Sequence, residues 1–177
     1  MMKRSISLMA LLLLIGGVFS FTQVKTWKIG KDYSVDFSAK GVNGIFKTLS
    51  GTVNFDEAKL SESKLVFTID VNSINTGNGL QNKHALGDEW FNADKYPNIK
   101  FTSSSIEKKE KGYIAKGKLT VKDVTKEISI PFTFTKSGSK GKISSSFSID
   151  RSTYNVGKAG GDVGNTIKIN IAIPVTK

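Results

Sequence analysis

The sequence predicts an all-β protein: an eight-stranded antiparallel barrel with a short helical connection between its third and fourth strands. Three observations carry this. Apolar and polar residues alternate with period two through most of the chain after residue 26, as in strands with one buried face. Turn-forming stretches such as Lys111-Gly112, Ser137-Gly138 and Gly160-Gly161 separate the alternating runs. No sustained stripe of apolar residues at helical spacing occurs.

The runs follow in order. Trp27, Ile29, Tyr33, Val35 and Phe37 alternate with polar neighbours and form the first strand. The second, from Gly44 to Phe55, is less regular; Phe46 and Leu49 are out of phase by one residue, which predicts a bulge. Leu65, Phe67, Ile69 and Val71 form the third, and Ile99 and Phe101 open the fourth. Tyr113, Ala115, Leu119 and Val121 lie in the fifth, and Ile128, Ile130, Phe132 and Phe134 in the sixth. Ile143, Phe147 and Ile149 alternate with serines in the seventh; Ile167, Ile169, Ile171 and Ile173 end the chain. Eight half-buried antiparallel strands close into a barrel whose polar face meets water.

Alternation stops between Val71 and Ile99. Residues 80–86 fit two helical turns, with Leu80, His84 and Ala85 on one side, and Trp90-Phe91 follows. A connection of this length in a small β protein serves as a lid or plug. Trp90 and Phe91 either close one end of the core or shape a mouth.

Composition bounds the chemistry. The 177 residues include no cysteine and one histidine, so disulfides, thiol catalysis, Cys-ligated metals and His-rich metal sites are excluded. No metal and no cofactor is expected. There is no G-x-S-x-G, H-E-x-x-H or phosphate loop. The net charge of +11 favours phosphate groups or anionic lipid surfaces as partners, although dispersed lysines also serve as a solvated surface. Met1-Met2-Lys3-Arg4 precedes an apolar run of 14 residues, Ile6 to Phe19, closed by Ser20. That run is shorter than the ~18–20 residues that span a bilayer. Residues 1–20 therefore read as a secretory signal peptide and residues 21–177 as one exported, periplasmic domain, with an uncleaved anchor as the alternative. Export makes nucleic acid the least suited of the acidic partners.

Small residues fall on the inward face. Ser103, Ser105, Ala115, Gly117 and Ser145 interrupt runs of Phe, Ile and Leu. Small side chains facing a barrel interior leave room for a ligand, unless Phe101, Phe132 and Phe147 fill the space themselves. The expected cavity wall is Phe37, Phe67, Ile69, Trp90, Phe91, Phe101, Ser103, Ala115, Gly117, Leu119, Phe132, Phe147 and Ile169. At its mouth, His84, Arg151 and Tyr154 are candidates to meet a polar head group. Arg151 either grips a phosphate bidentately or forms a strand-end charge pair with Asp150.

Several ordered blocks resemble the YceI family. Gly44-Ile45-Phe46 through Gly51-Thr52-Val53-Asn54-Phe55-Asp56 is similar to its G-x-F…G…F-D hairpin, and Ser73-Ile74-Asn75-Thr76-Gly77 to its S-I-x-T-G stretch. Phe91 to Phe101 matches F-x-x-x-x-Y-P-x-I-x-F, and Gly117 to Lys126 matches G-x-L-T-x-x-x-V-T-K. Arg151 to Gly157 keeps R-x-x-(aromatic)-x-x-G, whereas Gln81-Asn82-Lys83-His84-Ala85 retains only the histidine of the family's R-D-x-H-L. The resemblance covers residues 26–177. It implies a lipocalin-like barrel that binds a polyisoprenoid or other long amphiphile, no established catalysis, and homodimers among some members. The rival functions are an enzyme acting on a lipid in the same cavity and a ligand-free basic module contacting a membrane or protein surface.

Overall fold

The computed structural model describes residues 24–177, so the expected leader over residues 1–20 lies outside them. Eleven strand segments surround one interior: β1 (Thr26–Ile29), β2 (Ser34–Ala39), β3 (Val42–Phe46), β4 (Leu49–Asn54), β5 (Lys64–Asp70), β6 (Ile74–Asn75), β7 (Asn98–Lys109), β8 (Gly112–Val121), β9 (Val124–Ser137), β10 (Lys140–Asp150) and β11 (Thr166–Thr176). One helix, α1 (Gly79–Leu86), lies between β6 and β7. The eleven segments make eight barrel strands, because each of the first three is broken in two. β1 and β2 both pair with β11; β4 pairs with β1 and β5, while β3 pairs with β2 and β6. Every pairing is antiparallel, and β1 against β11 closes the ring. The expected eight-stranded barrel with one helical connection is the fold.

The breaks have local causes. The phase slip between Phe46 and Leu49 is resolved by leaving Lys47 and Thr48 out of the ladder, which lets both apolar side chains bury at 8% exposure. The freed backbone is satisfied elsewhere. Ser73 accepts from the Lys47 and Thr48 amides, and the Tyr33 hydroxyl bridges the Lys47 carbonyl and the Leu49 amide. A second irregularity, between Ser103 and Ser105, was not expected. The extra residue flips the face, so Ile106 is buried at 5% exposure and Ser105 is exposed, contrary to its expected inward position.

One end of the barrel is filled with rings. Phe55 lies edge-on to Tyr113 (5.0 Å between centroids) and Phe132 (5.6 Å) and tilted against Phe134 (4.9 Å), while Trp27 abuts Phe134 at 5.1 Å. The Trp27 indole N–H donates to the Phe55 carbonyl at 2.9 Å, so the buried ring leaves no donor unpaired. Tyr113 donates to the Glu57 carboxylate at 2.5 Å. Burial first, and this carboxylate second, push the phenol up to about 12. The folded state thus holds the Tyr113 proton after the unfolded chain, with an ordinary phenol near pH 10, has released it. Stability from this group is complete below pH 10 and is lost as pH rises from 10 to 12. Urea unfolding across that window is expected to show the decline, and Tyr113→Phe to flatten it.

The opposite end carries the long connections: residues 76–97, including α1, and the loop 151–165. The Asn78 side chain caps α1 by accepting from the Leu80 and Gln81 amides. The Phe91 amide bonds the Ala85 carbonyl, fixing the connection against the helix. Gln81, His84 and Ala85 turn toward the interior. Leu80, expected beside His84, is instead 63% exposed, because the docked face of the helix centres on Ala85 and Leu86.

Candidate ligand cavity

Between the ring-packed end and the long connections lies a cavity of about 310 Å³, within the range of small-molecule sites. Its floor is Phe132, Ile143 and Ile173, which back onto the ring cluster. Its wall is hydrocarbon almost throughout. The polar lining residues are Asp36, Thr76, Gln81, His84, Ser145, Arg151 and Tyr154, and no lysine is among them.

Of the expected wall, Phe37, Phe67, Ile69, Trp90, Phe91, Phe101, Ala115, Leu119, Phe132, Phe147 and Ile169 line this cavity. Ser103 and Gly117 do not. The Ser103 hydroxyl instead accepts from the Leu65 amide at 2.8 Å, serving β5 where the β7 bulge begins. Gly117 is small for a backbone reason: a Cβ there would sit 2.2 Å from the Thr102 carbonyl oxygen. Among residues the sequence reading missed, Val156 and Val163 reach the cavity from the loop 151–165. They lie outside any alternating run, so periodicity gave no signal for them.

The mouth candidates separate. His84 is exposed at the rim. Tyr154 is buried at 4% exposure beneath the Lys126 ammonium, 5.9 Å from its ring centroid, and burial raises its phenol pKa. Arg151 is redirected by the geometry. It is 3% exposed and donates to four backbone carbonyls: Val156 (2.7 Å), Val163 (2.7 Å), Lys158 (3.0 Å) and Gly164 (3.1 Å). Four of the five guanidinium N–H groups are thereby used, which leaves no two-pronged fork for a phosphate. Trp90 stacks on the same guanidinium at 5.0 Å. Nor is Asp150 its partner. That carboxylate accepts from the Ser152 amide (2.9 Å) and hydroxyl (2.6 Å), and these bonds hold its pKa below the usual range.

Gly157 completes the arrangement. Its φ of +66° is left-handed, and a Cβ would stand 2.9 Å from both the Arg151 guanidinium and the Trp90 ring. Arg151 and Gly157 thus belong to one clamp, which folds the loop 151–165 over the barrel.

These features define an up-and-down β-barrel with a ring-packed floor, an apolar interior and a lid of connections at one end. The chain belongs to the YceI-like domain family, whose model matches residues 26–175. Protein YceI of Salmonella newport is 32% identical over 127 residues, 69% of this chain and 66% of that protein. A UPF0312 protein of Photorhabdus laumondii is 38% identical over 85 residues, 48% of this chain and 44% of that protein. The matched region therefore spans from under half to about two thirds of these relatives. Among solved structures, Burkholderia cenocepacia BcnA superposes with a TM-score of 0.80 at 29% identity, covering 84% of this chain and all of that one. Campylobacter jejuni YCEI protein gives 0.70 at 28% identity, over 77% of this chain and 85% of that one. A polyisoprenoid binding domain from Saccharophagus degradans gives 0.64 at 16% identity, over 87% of this chain and 99% of that one, a likeness of fold alone.

Proposed function

We propose that the chain binds the apolar tail of a long-chain amphiphile, a polyisoprenoid or related lipid, as an exported carrier or sequestering protein. The observation that carries this is the cavity: about 310 Å³ walled by carbon, with its one arginine already engaged by backbone carbonyls. Such a space rewards hydrocarbon, at roughly 0.8 kcal/mol per CH₂ removed from water, and rewards charge not at all. The head group stays at the rim, near Thr76, Gln81 and His84. The S. degradans domain shares the fold and is described as polyisoprenoid-binding, which agrees with this reading; the ligand class rests here on the cavity. Cleavage of residues 1–20 and transient contact of the basic surface with anionic lipid belong to the same proposal.

The test is titration with a pyrene-labelled 16-carbon alcohol, followed by displacement with unlabelled chains. Affinity is expected to rise with chain length until the cavity is filled and then to level off. Absence of saturable binding, or affinity independent of chain length, would refute the proposal.

A further inference from the structure

The barrel wall is not closed evenly. β10 pairs with β11 along its whole length, eleven residue pairs from Lys140↔Thr176 to Asp150↔Thr166. β9 pairs with β8 from Val124 to Phe132. Between β9 and β10, however, the ladder holds only five pairs, from Ser137↔Lys140 to Thr133↔Ser144. Beyond that point no ladder pair joins the two strands. The split lies toward the long connections, alongside the cavity rather than beside the packed rings.

The sequence supplies a cause. Pro131 is the second residue past the last pair, and its carbonyl is turned toward β10, where the Ser145 hydroxyl donates to it at 2.6 Å. In an antiparallel strand the nitrogen of a residue faces the same side as its carbonyl, and proline has no hydrogen to give. The β9–β10 ladder therefore loses a donor at the place where it stops.

The outer face of the split is exposed to solvent, and residues on its inner face line the cavity. Thr125, Glu127, Ser129 and Pro131 on β9 and Ser146 and Ser148 on β10 are exposed, so no other described segment covers it from outside. Ile130 on one side, and Ser145, Phe147 and Ile149 on the other, line the cavity. The axial end is better tied. The Arg151 clamp holds its loop, and the Gly157 amide bonds the Glu89 carbonyl while the Gly164 amide bonds that of Lys40. Lys122 also donates to the Asn155 carbonyl at 2.8 Å. Opening the lid therefore breaks several hydrogen bonds, whereas the split is spanned by the Ser145–Pro131 bond.

We infer that the split between β9 and β10 is the side port through which the hydrocarbon chain of the ligand enters and leaves the barrel. This rests on the binding reading above. The chain slides in sideways between Ile130 and Phe147, and the clamped lid stays shut.

The experiment bridges the port. Continuing the register places Ser129 opposite Ser148, both exposed, and the chain has no competing cysteine. The Ser129→Cys/Ser148→Cys protein is joined by a short bis-maleimide, with N-ethylmaleimide capping as control, and exchange of the pyrene-labelled 16-carbon alcohol is followed by stopped flow. A bridge outside the cavity alters the path and not the end states. Association and dissociation are expected to slow together, about tenfold or more, with Kd changed less than about threefold. Pro131→Val, which restores the donor, is expected to slow exchange in the same direction. Equal rates in bridged and capped protein, with Pro131→Val unchanged, would overturn the port while leaving the cavity reading intact. Failure of the capped protein to bind the alcohol would remove the cavity reading and the port with it. A dimer of the capped protein that bridging dissociates would assign the split to a strand of a second copy instead.

Discussion

Arg151→Ala is expected to lower the stability of the folded chain by about 3 kcal/mol or more, and to weaken charged and neutral ligands alike. The side chain is 3% exposed and holds the Val156, Lys158, Val163 and Gly164 carbonyls. Its removal strands several acceptors, leaves Trp90 without its stacking partner, and frees a loop whose Val156 and Val163 wall the cavity. Arg151→Lys is expected to recover little, because a single ammonium cannot match a planar fork aimed at four carbonyls. Urea unfolding measures the first effect. Titration with a long-chain alcohol and the alkyl phosphate of equal length measures the second. A variant that keeps its stability and loses affinity for the phosphate alone would return Arg151 to the head group.

Ala115 and Gly117, two residues apart on β8, are expected to respond in opposite ways to added bulk. Ala115 is 1% exposed and lines the cavity. Ala115→Phe puts a ring where the chain would lie, so probe affinity is expected to fall about tenfold or more, at the 1–3 kcal/mol typical of overpacking. Gly117 faces the neighbouring strand. A Cβ there would sit 2.2 Å from the Thr102 oxygen and 2.6 Å from the Ser103 Cα, and backbone cannot swing aside as a side chain can. Gly117→Ala alone is expected to cost about 3 kcal/mol by parting β7 from β8 beside the bulge. Denaturation and probe titration on both variants separate the two roles. Equal tolerance of bulk at both positions would contradict the assignment of only Ala115 to the cavity.

The strands were legible because one face meets water and the other meets carbon, and alternation records this directly. The break after Phe46 was legible for the same reason, since two residues that both need burial were out of phase. The bulge at 103–105 carried the same signal, since Phe101 and Ile106 are both apolar and out of phase, but the three serines between them hid where the phase changes. Small residues were read as room for a ligand. Ala115 and Ser145 do line the cavity, but Gly117 is small because of a carbonyl on the next strand. Arg151 was visible as a charge at a strand end, whereas its acceptors are main-chain carbonyls of a glycine-rich loop, which no side-chain pattern announces. Pro131 went unremarked among the alternating residues of its strand, although it removes a donor there. Which neighbour it would fail to meet depended on the register.

Native mass spectrometry of the protein purified from its own source tests the central claim most directly. The account predicts one hydrophobic molecule per chain, retained under gentle ionisation, extracted by organic solvent on unfolding, and absent from Ala115→Phe prepared in the same way. A bare chain mass that stays unchanged after incubation with long-chain alcohols would contradict it.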